Sequence, residues 1–320
     1  MITKEMTYKK AFEQKTLRLK EKQNMREQML RAAYISNGRL SEIDSELSKI
    51  GAELAITALS GNTARLEQMQ KLSLALTSEK TEILKNADVR DIEYECDICK
   101  DTGYVGGKIC ECIKREAAGV MSAELSLKMP LGQSGFENFD LKYYSDKEAK
   151  NGENPRRRMT SILKLCREYA IGFNEKTTKN LLFLGGTGLG KTHLTLAIVK
   201  EVIAKGYLPI YASAENLFTS IEAEKFDGEG KGVYQQVLNC DLLVIDDLGA
   251  EMTTAFTKSV LYNVVNTRLL SGKPTIINTN LTMKEIEAKY TPRISSRFIG
   301  EYDCNKFLGE DIRQQKLLEK

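Results

Sequence analysis

Gly185-Gly186-Thr187-Gly188-Leu189-Gly190-Lys191-Thr192 is the stretch on which the reading of this chain turns, because it fits the spacing Gly-x4-Gly-Lys-Thr. Glycines in such a loop let the backbone turn its N–H groups inward as an anion cradle. Lys191 would then reach the β- and γ-phosphates of a nucleoside triphosphate, and Thr192 would hold Mg²⁺. The flanks agree with this reading. Asn180-Leu-Leu-Phe-Leu184 is a short apolar run of buried-strand type, and residues 192–205 carry Leu194, Leu196, Ile198, Val199, Val202 and Ile203 at helical intervals until Gly206. Further on, Asp241-Leu-Leu-Val-Ile-Asp246-Asp247 reads as an apolar strand ending in carboxylates, the groups needed to hold Mg²⁺ and polarise an attacking water. ATP and Mg²⁺ are therefore the expected cofactors.

The chain has 320 residues, 42% of them hydrophobic, which is enough for one full core and a second module. No apolar run approaches the roughly 18 residues of a membrane span. The start MITKEMTYKK lacks the apolar segment of a secretion signal, so a cytoplasmic location is expected. Net charge is only +3, but residues 1–36 hold nine Lys/Arg against four Asp/Glu. Two readings of that basic start remain open at this level: a solvated helix face, or a docking surface for an acidic partner or nucleic acid.

Four regions follow along the chain. Residues 1–90 are highly charged, free of proline and helical in pattern, with an apolar seam at Leu40, Ile43, Leu47, Ile50 and Leu54. Ser60-Gly61-Asn62-Thr63 breaks the pattern before Leu66, Met69 and Leu76 resume it, which predicts a helical hairpin. Its seam either closes on itself or forms an arm that packs on another protein. Residues 91–116 hold Cys96-x2-Cys99 and Cys110-x-Cys112, two close pairs separated by ten residues that include several glycines. That arrangement suits a four-cysteine Zn²⁺ knuckle, and a cytosolic setting argues against disulfides. Cys166, Cys240 and Cys304 are scattered and read as packing residues.

Residues 117–155 read as a linker, with Pro130, Gly132, the aromatic-rich Phe136-Glu-Asn-Phe-Asp-Leu-Lys-Tyr-Tyr144 and a hydrophilic break from Ala149 to Pro155. Residues 156–320 alternate helices with strands at 180–184, 208–212, 242–246, 275–279 and 302–308. The expected fold is an α/β P-loop domain with a parallel five-stranded sheet, preceded by the helical arm and the knuckle. Asn278 near the end of the fourth strand would lie beside the phosphate loop and orient water or sense the γ-phosphate. His193, the only histidine, is expected to pack near the loop.

With these motifs in place, the chain resembles the AAA+ ATPases, and among them the DnaC/DnaI-type replicative helicase loaders and the IstB transposition ATPase. The resemblance rests on GGTGLGKTHL, DLLVIDDLGAE, TIINTN, RISSRF at 293–298 and GEDIRQQK near the C-terminus, with the cysteine segment similar to that of the DnaI-like branch. It implies that Asp246 serves Mg²⁺ and that Asp247 stands where many AAA+ proteins carry a catalytic glutamate. The shorter carboxylate suits a switch better than a fast motor, and Glu251 is a second candidate. Arg297 is implied as a finger reaching a neighbouring subunit's γ-phosphate, with Arg293 as a further candidate and Arg313 as a second sensor. Thr254 and Phe256 occupy the stretch that holds single-stranded DNA in the loaders. The implied function is ATP-dependent loading of a DnaB-type replicative helicase onto single-stranded DNA, by an ATP-dependent homo-oligomer. Two alternatives are an IstB-type transposition or phage-replication regulator, and a zinc-containing adaptor whose nucleotide site only controls assembly.

Overall fold

The computed structural model describes residues 4–60, 62–128, 134–148, 152–175, 178–226 and 232–318. Pro130, Gly132, Gly61 and the first residues of the 149–155 break lie outside them. The chain divides into two compact units, Phe12–Cys110 and Met1–Ala11 with Glu111–Lys320.

The smaller unit contains most of helix α1 (Lys4–Ser36), then α2 (Arg39–Ser60) and α3 (Thr63–Asn86). The predicted hairpin is present. Ile43 and Ile50 of α2 pack on Met69 and Leu76 of α3, flanked by Leu47, Leu54 and Ile83, so the seam is closed intramolecularly along this length. Asn62 starts α3 by accepting the N–H of Arg65, which is why the helical pattern breaks and restarts there. Beyond α3, strands β1 (Tyr104–Val105) and β2 (Lys108–Ile109) pair antiparallel across Gly106 and Gly107, at φ +54° and +75°. Two consecutive positive φ values are what a two-residue reversal requires.

In the larger unit, β3 (Asn180–Leu184), β4 (Ile210–Ser213), β5 (Leu243–Leu248), β6 (Thr275–Thr279) and β7 (Tyr302–Lys306) form a parallel sheet in the order β4-β5-β6-β3-β7. Alternate residues face opposite layers. Leu181, Phe183, Val244 and Ile276 join one core with α4 (Glu111–Lys128), α5 (Pro155–Ile171) and α6 (Lys191–Ala204). Leu182, Leu243, Ile245 and Ile277 join the other, with α7 (Ala214–Phe226), α8 (Val233–Asn239), α9 (Ala255–Leu270), α10 (Met283–Lys289) and α11 (Pro292–Glu301). A sheet buried on both faces explains why its strands read as continuous apolar runs. Strand β4 begins later than expected because the Leu208 N–H is taken by the Asp241 carboxylate at 2.8 Å, so the pairing with β5 starts at Ile210, and Pro209 sits with its nitrogen on the open edge of the sheet.

The stretch read as a linker, residues 117–155, takes in most of α4, whose Ala117 and Met121 are buried, and two 3-10 turns at Phe136–Asn138 and Leu141–Tyr143. Small residues in the helix stripe and turn-forming residues after it obscured both. The last element among the described residues is α12 (Ile312–Leu318).

Candidate active site and metal centre

Strand β3 delivers the chain into the glycine loop, and α6 begins at Lys191 with Gly190 as its N-cap. Gly185 and Gly190 stand at φ +141° and +88°, and both are closely covered. A Cβ at Gly185 would lie 2.7 Å from the Phe307 carbonyl oxygen, and one at Gly190 would lie 2.7 Å from the Phe139 ring. The loop thus lies at the carboxyl ends of the strands and at the N-terminus of a helix, where free N–H groups and the helix dipole favour a phosphate.

Lys191 Nζ donates to the carbonyls of Gly185 and Gly186 and to Asn280 Oδ1, each at 2.7 Å. Burial lowers its pKa, against the opposing pull of Asp247 and Asp246. Thr192 Oγ1 donates to Asp246 at 3.1 Å, so hydroxyl and carboxylate sit side by side as a Mg²⁺ site requires. Asp246 also accepts from the Tyr211 hydroxyl and from Asn278 Nδ2, which lies 2.7 Å away. Burial raises the Tyr211 pKa, so that proton stays on the phenol and the bond to Asp246 is maintained.

Asp247 is separated from its neighbour by backbone geometry. A register irregularity between Ile245 and Leu248 puts Asp247 at φ +53°, and its side chain lines the cleft. Its pKa is raised by burial and then by Asp246. Two adjacent carboxylates in different surroundings suit different tasks, one holding a metal and one polarising water.

The cleft, about 430 Å³, is lined by Thr187, Gly188, Leu189, Gly190, Lys191 and Thr192 of the loop and by Asp247, Asn280 and Arg313. The Phe136–Tyr144 segment supplies another wall through Phe139, Tyr143 and Tyr144. Tyr144 is fully buried and its hydroxyl donates to the Leu189 carbonyl at 2.9 Å, tying this segment to the loop. His193 Nε2 lies 2.9 Å from the Gly135 carbonyl and its ring packs against Phe139, as a packing role requires. The sequence signal for this wall is aromatic density where a linker should be polar.

Asn278 sits behind the cleft. It is fully buried, donates to Asp246 and accepts from Thr195 at 3.0 Å, whereas Asn280, beyond the end of β6, is the amide that faces the loop. The strand pattern gave no access to Asn280 because alternation ends with the strand. Glu251 is likewise withdrawn: it accepts from Gly249 N at 2.8 Å and from the Tyr290 hydroxyl, and is buried. Lys316 lines the cleft and went unread.

Arg293 and Arg297 lie elsewhere, on α11 in a surface groove with Tyr262, whose ring sits 5.3 Å from the Arg297 guanidinium. Thr254 is the N-cap of α9 and is exposed. Phe256 is half-buried against Phe226, with ring centroids 5.6 Å apart. Cys166 and Cys240 are buried, as packing residues should be, while Cys304 is exposed.

The remaining four thiols, Cys96, Cys99, Cys110 and Cys112, lie within 4.8 Å of one another. Cys96 and Cys110 are 3.8 Å apart, close to the edge of a tetrahedron built on Zn–S bonds of about 2.3 Å. The donor set and spacing therefore fit a four-thiolate metal site. Among the described residues, no helix is long and apolar enough to cross a membrane.

Residues 130–294, just over half the chain, match the family described as IstB-like ATP binding protein. This chain belongs to that family. Its curated relatives include YdaV of Escherichia coli K12, 26% identical over 194 residues covering 60% of this chain and 74% of YdaV. Another is the replicative helicase loader DnaC of the same strain, 28% identical over 140 residues, covering 43% of this chain and only 56% of DnaC. An insertion-sequence ATP-binding protein of Geobacillus stearothermophilus is 29% identical over 107 residues, covering 33% and 42% of the two chains. Among solved structures, the DnaC helicase loader aligns with a TM-score of 0.45 at 23% identity, over 54% of this chain and 98% of that one. The resemblance drawn from the motifs thus holds at the level of the family.

Proposed function

We propose that this chain is an ATPase that loads a DnaB-type replicative helicase onto single-stranded DNA in the cytoplasm, working as an ATP-dependent homo-oligomer. The observation that carries the nucleotide chemistry is the convergence of Lys191, Thr192 and Asp247 on one cleft, with the buried Asp246 bonded to Thr192. The loader assignment draws on the similarity to proteins named as replicative helicase loaders.

In this reading Lys191 holds the β/γ-phosphates, and Thr192 with Asp246 holds Mg²⁺, which supplies charge neutralisation at the phosphates. Asp247 accepts a hydrogen bond from the attacking water, and Asn280 orients the γ-phosphate side of the cleft. Arg313 and Lys316 add positive charge from α12, while Phe139 and Tyr143 offer flat apolar surface for a base. Arg297, which does not line its own cleft, completes the site of a neighbouring copy. Zn²⁺ in the four-cysteine site organises the 96–112 segment, and single-stranded DNA runs past the exposed Thr254, with Phe256 as a half-buried neighbour.

The test is capture from the source cell's lysate with ATP present, followed by a helicase-loading assay on single-stranded DNA. ATP-dependent recovery of the replicative helicase is the expected result. Recovery of a transposase instead would establish the second reading, which the insertion-sequence relative favours.

A further inference from the structure

Within the smaller unit, one face of α1 is engaged along its length by the segment that leads into the cysteine site. Phe12 stacks on Tyr104, with centroids 4.8 Å apart and planes at 17°. Lys15 pairs with Asp101 at 3.0 Å, Arg18 with Glu95 at 3.1 Å, and Arg26 with Asp91 at 3.2 Å. Lys22 donates to the Glu93 carbonyl at 2.9 Å. Positions 12, 15, 18, 22 and 26 follow helical spacing, so they form a single stripe.

One pair in the stripe differs in kind from the rest. Lys15 and Asp101 are each only 4% exposed. A buried ammonium or carboxylate without its partner is costly, so each requires the other. Asp101 also holds the metal loop: its two oxygens accept the N–H groups of Glu95 and Cys96, both at 2.9 Å. It does so from φ +61°, next to Lys100 at φ +48°, a left-handed pair that Asp tolerates better than most residues. The carboxylate therefore fixes the backbone of the first thiol ligand while its charge is answered from α1, far outside the 91–116 segment in sequence.

We propose that Lys15 is a positioning residue for the four-thiolate site, and that metal occupancy in turn decides whether the basic stripe of α1 stays covered by residues 91–101. This rests on the zinc reading above. A tetrathiolate Zn²⁺ centre is net negative, and a loop that must close around it is held by a cationic helix face. Losing the metal frees the loop, and the loop frees Lys15, Arg18, Lys22 and Arg26 together. The two readings left open for the basic start meet here: the stripe is an internal strap while the site is loaded, and a displayed cationic surface when it is not.

The experiment uses the full chain loaded with zinc and follows transfer of the metal to a chromophoric chelator. Lys15→Met should weaken retention on the order of 10–100-fold, the range for losing a residue that orients a metal ligand. Arg31→Met removes a cation from the same helix that pairs with Glu27 at 2.5 Å and touches none of residues 91–101 in the described contacts, and should leave transfer unchanged. Hydrogen exchange on the unsubstituted chain supplies a readout that no misfolded variant can imitate. Chelation should speed exchange across residues 12–26 and leave the α2–α3 hairpin protected. A parent chain that binds no zinc removes the knuckle and the strap with it. A zinc-loaded parent whose transfer rate is unaffected by Lys15→Met, or whose α1 exchange ignores the metal, overturns the strap while leaving the knuckle standing.

Discussion

The two units use charge in opposite ways. In the larger one the two charged groups at the floor of the nucleotide site are drawn inward: Lys191 and Asp246 are each 6% exposed and bonded to loop carbonyls, a threonine, a tyrosine and asparagines. In the smaller one most ion pairs lie at the surface, as with Arg39 against Glu42, Glu46 and Glu79, and Lys15–Asp101 is the buried exception. Surface pairs contribute little to stability, so the hairpin depends on its apolar seam, whereas the cleft depends on a network that fails when one member is removed. The sharpest test of that contrast is Lys191→Ala. Fluorescent ATP should no longer bind and turnover should fall to background, while zinc content and the helical signal of the smaller unit stay at parental values. Retained binding, or a loss of zinc alongside it, would break the comparison.

Next in size is Arg297→Ala. The arginine lies outside its own cleft, so ATP binding should be unchanged while turnover falls by about a thousandfold or more, the range for an arginine supplied to a neighbouring site. Mixing this variant with Lys191→Ala should restore part of the activity, since each copy lacks what the other provides. Normal turnover in Arg297→Ala, or a rate per protomer independent of protein concentration, would remove the shared site.

A third comparison lies inside the larger unit, between two asparagines two residues apart. Asn280→Ala should lower turnover on the order of a hundredfold with little change in melting temperature, because its amide faces the loop. Asn278→Ala should instead lower stability by roughly 1–3 kcal/mol, since Thr195 and Asp246 lose a buried partner. Thermal melts and steady-state rates on both variants separate the roles, and equal effects would dissolve the distinction.

This pair also shows what was legible in the sequence. Gly185–Thr192 and the 241–247 strand could be read because their chemistry is local: the residues that act together are neighbours in the chain, and the parallel sheet follows from apolar runs between them. The cysteine pairs were legible for the same reason. Asn280, the Phe136–Tyr144 wall and Lys316 were not, because they reach the cleft only through the fold, from beyond a strand end, from 3-10 turns and from the last helix. The Lys15–Asp101 pair spans more than eighty positions, and no spacing rule connects its ends.

The smallest expected effect on turnover comes from the hairpin seam. Ile50 is buried against α3 and Leu47 flanks it, so placing carboxylates at both positions puts unpaired charge where Met69 and Leu76 now pack. Leu47→Glu with Ile50→Glu should leave ATP binding and basal hydrolysis at parental values, since neither residue belongs to the cleft-bearing unit. Helicase capture should weaken if this unit is the docking module. Two causes of such a loss can be told apart by circular dichroism: a melted hairpin loses helical signal, whereas a hairpin that stays folded points to a partner that reads the altered surface. Undiminished capture with the helical signal lost would move docking off the hairpin and leave α1 with its basic stripe as the surface to test.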